Sequence, residues 1–566
     1  MRACALIGWL AGALVLAAAT LANAAAADPT RDAIRALIVR DGVPELQRPV
    51  FADYRRALEG FYAARGFLPA WFTAGRALPE AAVALDELAA APAHGLIAAD
   101  YDVDGLRREA EAIAGDHRSA QRLARADVAL SLTLLRYVSE LHGGRVPPRT
   151  AGFFLASGNS EFDPGAVLAQ ALAEHRLREA IAAVAPSFVV YGRLQAALAR
   201  YRELANRPLP ALPPLPRGTT KVEPGQPYAG AAALATRLAL LGDLPSTAAP
   251  VSAGVYDGAL VDAVRAFQRR HGLAQDGVVG KNTLAQLDVP LVQRVRQIEL
   301  AMERLRWVPH LPPGPLIAVN IPSYTLRAFD GVAAESTPAL TMAVIVGRAT
   351  AALQTPVFIG EMRSIEFSPY WNVPPSILEK ELMPILARDP DYLAREDMEI
   401  VGPDRDAPPR TRIDAAALAA LRDGTARLRQ RPGPKNALGG IKFVLPNTMN
   451  VYLHGTPQRE LFQRTRRDFS HGCIRVADPL ALAQFVLRDR PEWTVDRMEG
   501  AMAANTLRSV PLPHPVPVVL FYTTVTVDAD GRAQFLPDVY GFDRKLDAAL
   551  ARRAASAAAR TVPAPS

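Results

Sequence analysis

The chain has 566 residues, 50% apolar and 21% charged, which excludes a disordered or fibrous polymer and leaves room for several cores. Lys and Arg number 64 against 57 Asp and Glu; a net charge of +7 suits an anionic polymer but decides nothing alone, and with GxGxxG, Walker and zinc-finger patterns absent nucleic-acid binding has no support. Two cysteines, Cys4 and Cys473, rule out a disulfide framework.

Arg2, the uncharged stretch Ala3 to Leu21 and the small residues Ala22-Asn23-Ala24 read as a signal peptide over residues 1–24. Export to the periplasm follows as an expectation. An inner-membrane anchor would remain only if the signal stays uncleaved, since about 20 apolar residues can cross a bilayer. Cleavage removes Cys4 and leaves Cys473 without a partner.

Residues 28–206 carry helical periodicity. Phe51, Tyr54, Leu58, Phe61 and Tyr62 recur at spacings of three and four, as do Leu130, Leu134, Tyr137 and Leu141 ahead of Gly143-Gly144. A helical scaffold domain is expected, with His94 and His142 isolated at loops or helix ends. A Pro-rich connector follows over residues 207–230, beginning "RPLPALPPLPRG".

Residues 231–290 predict three short helices. Leu234, Leu238 and Leu241 make the first stripe, Leu260, Val264 and Phe267 the second, and "AQDGVVGKNTLAQL" supplies a turn and the third. Asp257, Ala263-Val264, Phe267-Gln268, Gly272-Leu273, Asp276-Gly277, Gly280 and Thr283 together resemble the three-helix peptidoglycan-binding domain.

From residue 315 to 545 the pattern turns to short β-rich runs: "LIAVNIPSYTLRAF", "LTMAVIVG", "IKFVLPNTMNVYLHGTP" and "VPVVLFYTTVTVDADGRAQF". Residues 373–431 interrupt them with helical and Pro-rich sequence. A lid is expected there, with Ile377, Leu378 and Leu382 covering an open groove and "RQRPGPKNALGG" serving as the return hinge. Residues 546–566 read as a disordered tail. The expected class is therefore multidomain α+β.

Cys473 sits in "RRDFSHGCIRVADP". A lone cysteine is most often a buried apolar filler, but glycine and polar neighbours in an exported chain point to chemistry instead. The thiolate is the nucleophile, and a free thiol with a pKa near about 8.5 needs a base or electropositive surroundings. His454, at the end of a predicted strand, is the better-aimed base; His471 shares the cysteine loop and is free to point elsewhere. Gly472 lets a carbonyl approach the Cys473 N–H, a candidate oxyanion donor. Asp478-Pro479 then opens a helix. The cations Arg459, Arg464, Arg466 and Arg467 read as a solvated loop face.

His454, fifteen residues, then Ser470-His471-Gly472-Cys473-Ile474-Arg475 resembles the signature of the L,D-transpeptidase catalytic domain. "SPYWNVPPSI" and "VYLHGTPQRELF" resemble its large Gram-negative members, which combine a scaffold, a peptidoglycan-binding module and a capping insertion. The resemblance implies that Cys473 attacks after diaminopimelate in a tetrapeptide stem, releases D-alanine, and passes the acyl group to a second stem's amine. Carbapenems are expected to acylate it. His454 is implied as base, oriented by the Gly455 carbonyl, with the Cys473 and Gly472 N–H groups on the oxyanion. Ser470 and His471 support the loop, although His471 stands where relatives also carry serine. Arg475 shapes the loop or meets a carboxylate; Tyr452 and Trp371 line the groove or fill core. No metal or cofactor is implied, and no His/Asp/Glu cluster has ligand spacing. Rival readings are an L,D-carboxypeptidase, a lipoprotein-attaching or exchange enzyme, and a non-catalytic wall-binding scaffold.

Overall fold

A 24-residue helix, Ala120–Gly143, is the axis of the N-terminal part. Its apolar residues are not confined to one stripe: Val128, Leu132, Leu134, Leu135, Tyr137, Val138 and Leu141 are all wholly buried. Such a helix must be surrounded, and Pro29–Arg40, Arg55–Ala64, Val103–Ile113 and Pro164–Ala173 surround it. Asp127, buried within it, accepts from the Tyr62 hydroxyl (2.6 Å) and the N–H groups of Ala70 (2.9 Å) and Trp71 (2.8 Å), so its charge is fully hydrogen-bonded. The computed structural model describes residues 28–559 apart from 41–42, 44–45, 49–53, 74–75, 114–118, 156–161, 216, 248–253, 310, 332–336 and 405. The expected signal peptide, and Phe51 of the first helical stripe, lie outside the described residues.

The three helices expected after residue 231 are Ala231–Leu241, Gly258–Arg270 and Lys281–Leu287. Gln268, 2% exposed, ties the turn between the last two together. Its amide donates to Asp276 Oδ1 (2.8 Å) and the Val278 carbonyl (3.1 Å), and its oxygen accepts from Gly277 N–H (2.9 Å). The "FQ…DG" pattern therefore has a structural cause. The connector is less separate than its prolines suggest. Lys221–Val222 pairs with Val279–Gly280, and Val222 and Tyr228 are buried in the module's core, so that core starts inside the stretch read as linker.

Eight strands close on themselves around the largest core. In order they are Leu340–Gly347, Ile474–Val476, Leu453–His454, Ile441–Val444, Phe358–Phe367, Arg508–Phe521, Leu316–Asn320 and Thr325–Phe329, the last pairing again with the first. The inward residues Val344, Ile365, Phe443, Leu453, Ile474, Val518 and Leu326 alternate with outward ones, as strand geometry requires.

Three expectations are corrected. The tail begins as helix: Phe542–Ala559 is α-helical, and Leu546, Ala549 and Leu550 enter the barrel core because they share one helical face. Ile377, Leu378 and Leu382 do not cover the groove. They pack with Leu386, Leu393, Ile400 and Leu428 on the insertion's own three-stranded sheet, Met398–Val401, Arg427–Gln430 and Trp371–Asn372. The "RQRPGPKNALGG" stretch is no free hinge either. Asn436, 1% exposed, donates to the carbonyls of Pro369 (3.0 Å) and Arg431 (2.9 Å), and Gln430 Oε1 accepts from Ala437 N–H (2.8 Å).

The parts interlock. A hairpin of Val525–Val527 and Ala533–Phe535 packs on the helices Val189–Ala205 and Leu291–Leu305. His271 of the small module stacks between Phe267 and Phe535, and Arg270 pairs with buried Asp243. Arg304 pairs with Asp543, joining the helix after the module to the C-terminal helix.

Candidate active site

Two adjacent strands carry the reactive side chains. Leu453–His454 runs parallel to Ile474–Val476, with Leu453 opposite Ile474 and His454 opposite Arg475. Leu453 and Ile474 are buried in the barrel, so strand alternation turns Tyr452, His454, Cys473 and Arg475 to the other face. Ile474 N–H donates to the Tyr452 carbonyl (3.1 Å), which sets Cys473 beside Tyr452 and one pleat from His454. On the far side Lys442 stands opposite His454.

His454 is 5% exposed. Its Nδ1 lies 2.6 Å from the Gly455 carbonyl, which can only accept, so Nδ1 carries the proton and Nε2 is left as an acceptor. Burial, then the Arg475 cation and more weakly Lys442, push the imidazole down to about 3. Burial also pushes the Cys473 thiol up, against the opposing pull of Tyr452, Lys442 and Arg475. The resting pair is a neutral thiol and a neutral imidazole. The thiol itself donates to the carbonyl of Asn450 (3.7 Å), a residue in the left-handed region (φ 55°).

Tyr452 reaches both the thiol and Trp371 through its hydroxyl, whose pKa is raised first by burial. Its ring lies 5.0 Å from Lys442 Nζ and 5.6 Å from the His454 ring. Trp371 belongs to the insertion's sheet, opposite Gln430, so the insertion borders the thiol. Arg475 donates to Gln458 Oε1 (2.8 Å).

The cysteine loop is pinned from within. Ser470 Oγ donates to the Cys473 carbonyl (2.5 Å) and accepts from Gly472 N–H (3.1 Å). The Gly472 N–H is therefore engaged, and its expected share in an oxyanion hole is corrected. His471 points away from the thiol: Nε2 lies 2.5 Å from Glu381 Oε1 of the insertion. A partly exposed pair of this kind contributes about 0–1 kcal/mol, so His471→Ala is expected to slow acylation of Cys473 by less than about tenfold. Stopped-flow acylation of the two proteins checks this. Of the four loop cations, Arg459, Arg464 and Arg466 stay exposed as expected, and only Arg467 is drawn in. Arg466 forks onto Asp468 (2.7 and 2.9 Å), and Arg467 donates to the carbonyls of Tyr324 and Val344.

Sequence reasoning missed Asn450 and Lys442. Lys442 could have been placed only by knowing which strand lies beside His454, which is a matter of register. Asn450 had a local signal: Asn is enriched among left-handed residues, and "PNTMN" is a turn.

Residues 314–506 match the family described as "L,D-transpeptidase catalytic domain". The chain carries an L,D-transpeptidase catalytic domain. Ahead of it, residues 229–287 match a "Putative peptidoglycan binding domain" and residues 56–198 a "Scaffold domain". A Haemophilus influenzae protein named "Putative L,D-transpeptidase" is 32% identical over 254 residues, 45% of this chain; the chain spans about half (49%) of that relative's length. Among solved structures, an L,D-transpeptidase from Xylanimonas cellulosilytica is 16% identical, with 54% of this chain and 100% of that one covered and a TM-score of 0.16. A fused Zn-dependent amidase/peptidase/peptidoglycan-binding protein from Clostridium acetobutylicum is 12% identical, with 53% and 99% covered and a TM-score of 0.16. The L,D-transpeptidase domain thus holds Cys473 and His454 on one face, and the expected multidomain α+β organisation is observed.

Proposed function

We propose that the whole chain is an exported peptidoglycan L,D-transpeptidase that cross-links diaminopimelate residues of neighbouring stems through a Cys473 thioester. The observation that carries this reading is a thiol and an imidazole with its proton held on Nδ1, set on one face of paired strands. The peptidoglycan-binding module in the same chain supports the polymer as substrate.

In this reading Cys473 rotates from the Asn450 carbonyl towards His454 as the donor stem docks, since apo hydrogen bonds of catalytic pairs often tighten only in the complex. His454 Nε2 takes the thiol proton while Sγ bonds to the diaminopimelate carbonyl carbon. The Cys473 N–H meets the oxyanion. Collapse breaks the peptide bond, and D-alanine leaves with the proton from His454. The acceptor's side-chain amine then attacks the thioester, losing its proton to His454, and the thiol is restored. Arg475 shapes the loop through Gln458 or meets a stem carboxylate. Trp371 and the insertion around it screen the thioester from water, which favours the amine over hydrolysis.

Incubating the protein with tetrapeptide-bearing muropeptides and separating the products by mass spectrometry tests the reading. Diaminopimelate-to-diaminopimelate dimers with released D-alanine are expected. Tripeptides alone would replace it with an L,D-carboxypeptidase; dependence on another amine would indicate attachment or exchange, and no product a wall-binding scaffold.

A further inference from the structure

Thr355 is wholly buried, in the loop between the strands Leu340–Gly347 and Phe358–Phe367. Its Oγ1 donates to the Gly472 carbonyl (2.8 Å) and accepts from Gly347 N–H (2.8 Å). Its own N–H donates to the Tyr540 hydroxyl (3.2 Å), which in turn donates to the Gly347 carbonyl (2.5 Å). These four bonds join the cysteine loop, one barrel strand, the loop that follows it and the C-terminal segment in one buried polar network. Gly347 makes it possible: a Cβ there would stand 2.0 Å from the Leu353 carbonyl oxygen and 2.6 Å from Thr355 N.

The Gly472 carbonyl and the Cys473 N–H belong to one peptide. That unit is planar and trans, so the two groups point in opposite directions. Gly472 adopts φ +119°, a region nearly closed to other residues, and glycine alone would leave this peptide free to turn over. Anchoring its carbonyl inward on Thr355 aims the Cys473 N–H outward. Ser470 holds the two other polar groups of the turn, the Gly472 N–H and the Cys473 carbonyl.

We infer that Thr355 is a positioning residue that aims the Cys473 N–H at the oxyanion of the acyl-transfer step, an inference that rests on the function proposed above. In that step with a carbapenem, the thiol proton passes to His454 and Sγ bonds to the lactam carbonyl carbon. The carbonyl π pair moves onto oxygen, where the Cys473 N–H meets it. Collapse then breaks the ring C–N bond, and the ring nitrogen takes the proton from His454. Alkylation by iodoacetamide uses the same thiol but displaces iodide from a saturated carbon, and no oxyanion forms.

The test compares both reactions in the full chain. Losing an oxyanion donor costs about 10²–10³-fold, and a donor left in place but unaimed less, so Thr355→Val should slow carbapenem acylation about 10–10²-fold. Its alkylation rate should match wild type, and Thr355→Ser should restore acylation. Tyr540→Phe, which releases Thr355 N–H and the Gly347 carbonyl, should show the same split more weakly. If Thr355→Val does not fold, by circular dichroism, Tyr540→Phe and Thr355→Ser decide the matter. Unchanged acylation, or equal loss of acylation and alkylation in the folded variants, overturns the inference. A wild-type protein that alkylates but never acylates would sink the acyl-transfer reading instead.

Discussion

Cys473→Ala is expected to lose all D-alanine release and all cross-linked product while melting at nearly the wild-type temperature. The thiol is half-buried and meets the Asn450 carbonyl at 3.7 Å, long even for sulfur, and the Tyr452 hydroxyl, so alanine removes little packing. The chemistry, in contrast, has no substitute: Cys473 is the only cysteine among the described residues. Intact-protein mass spectrometry after carbapenem treatment should show one adduct on wild type and none on the variant. An adduct that survives the substitution would place the nucleophile elsewhere.

His454→Ala should slow acylation about 10²–10⁴-fold, the range for loss of a general base. The wild-type pH profile separates this role from simple packing. Burial and the nearby Arg475 cation hold the imidazole down to about 3, so His454 is already a free base at neutral pH. A base is lost as pH falls through its own pKa, which puts the acid limb of acylation near 3, far below the ordinary histidine range. The thiol, raised by burial, stays protonated over the same window. The acylation rate should therefore be flat between about pH 5 and 8, where ordinary histidines titrate. A midpoint near about 6.5 in that profile would mean that the imidazole is solvated or paired as an imidazolium in the working state. That result would remove the neutral-pair mechanism even if His454 proved essential.

Much of this protein was legible as local pattern. Leu260, Val264 and Phe267 announce a helix because 3.6 residues per turn puts them on one face, and Gln268 with Asp276-Gly277 announces the turn that it clamps. The order Ser470-His471-Gly472-Cys473 after His454 resembles the L,D-transpeptidase signature, and it can be read in the sequence because the turn and the strand end that carry it are closely spaced. The chain by itself thus determined the multidomain α+β class and that domain. Tertiary structure decided what depends on long-range pairing. Residues 546–559 look unstructured from their alanines and arginines, yet Leu546 and Leu550 find the barrel core and the helix forms. Ile377 and Leu382 could not be assigned a surface from periodicity, which says that a face will be covered but not by what. His471 and Glu381 are 90 positions apart, and Thr355 and Gly472 are 117 apart. Hydrogen bonds across such separations leave no periodic trace, because only the tertiary packing of distant segments brings the partners within reach.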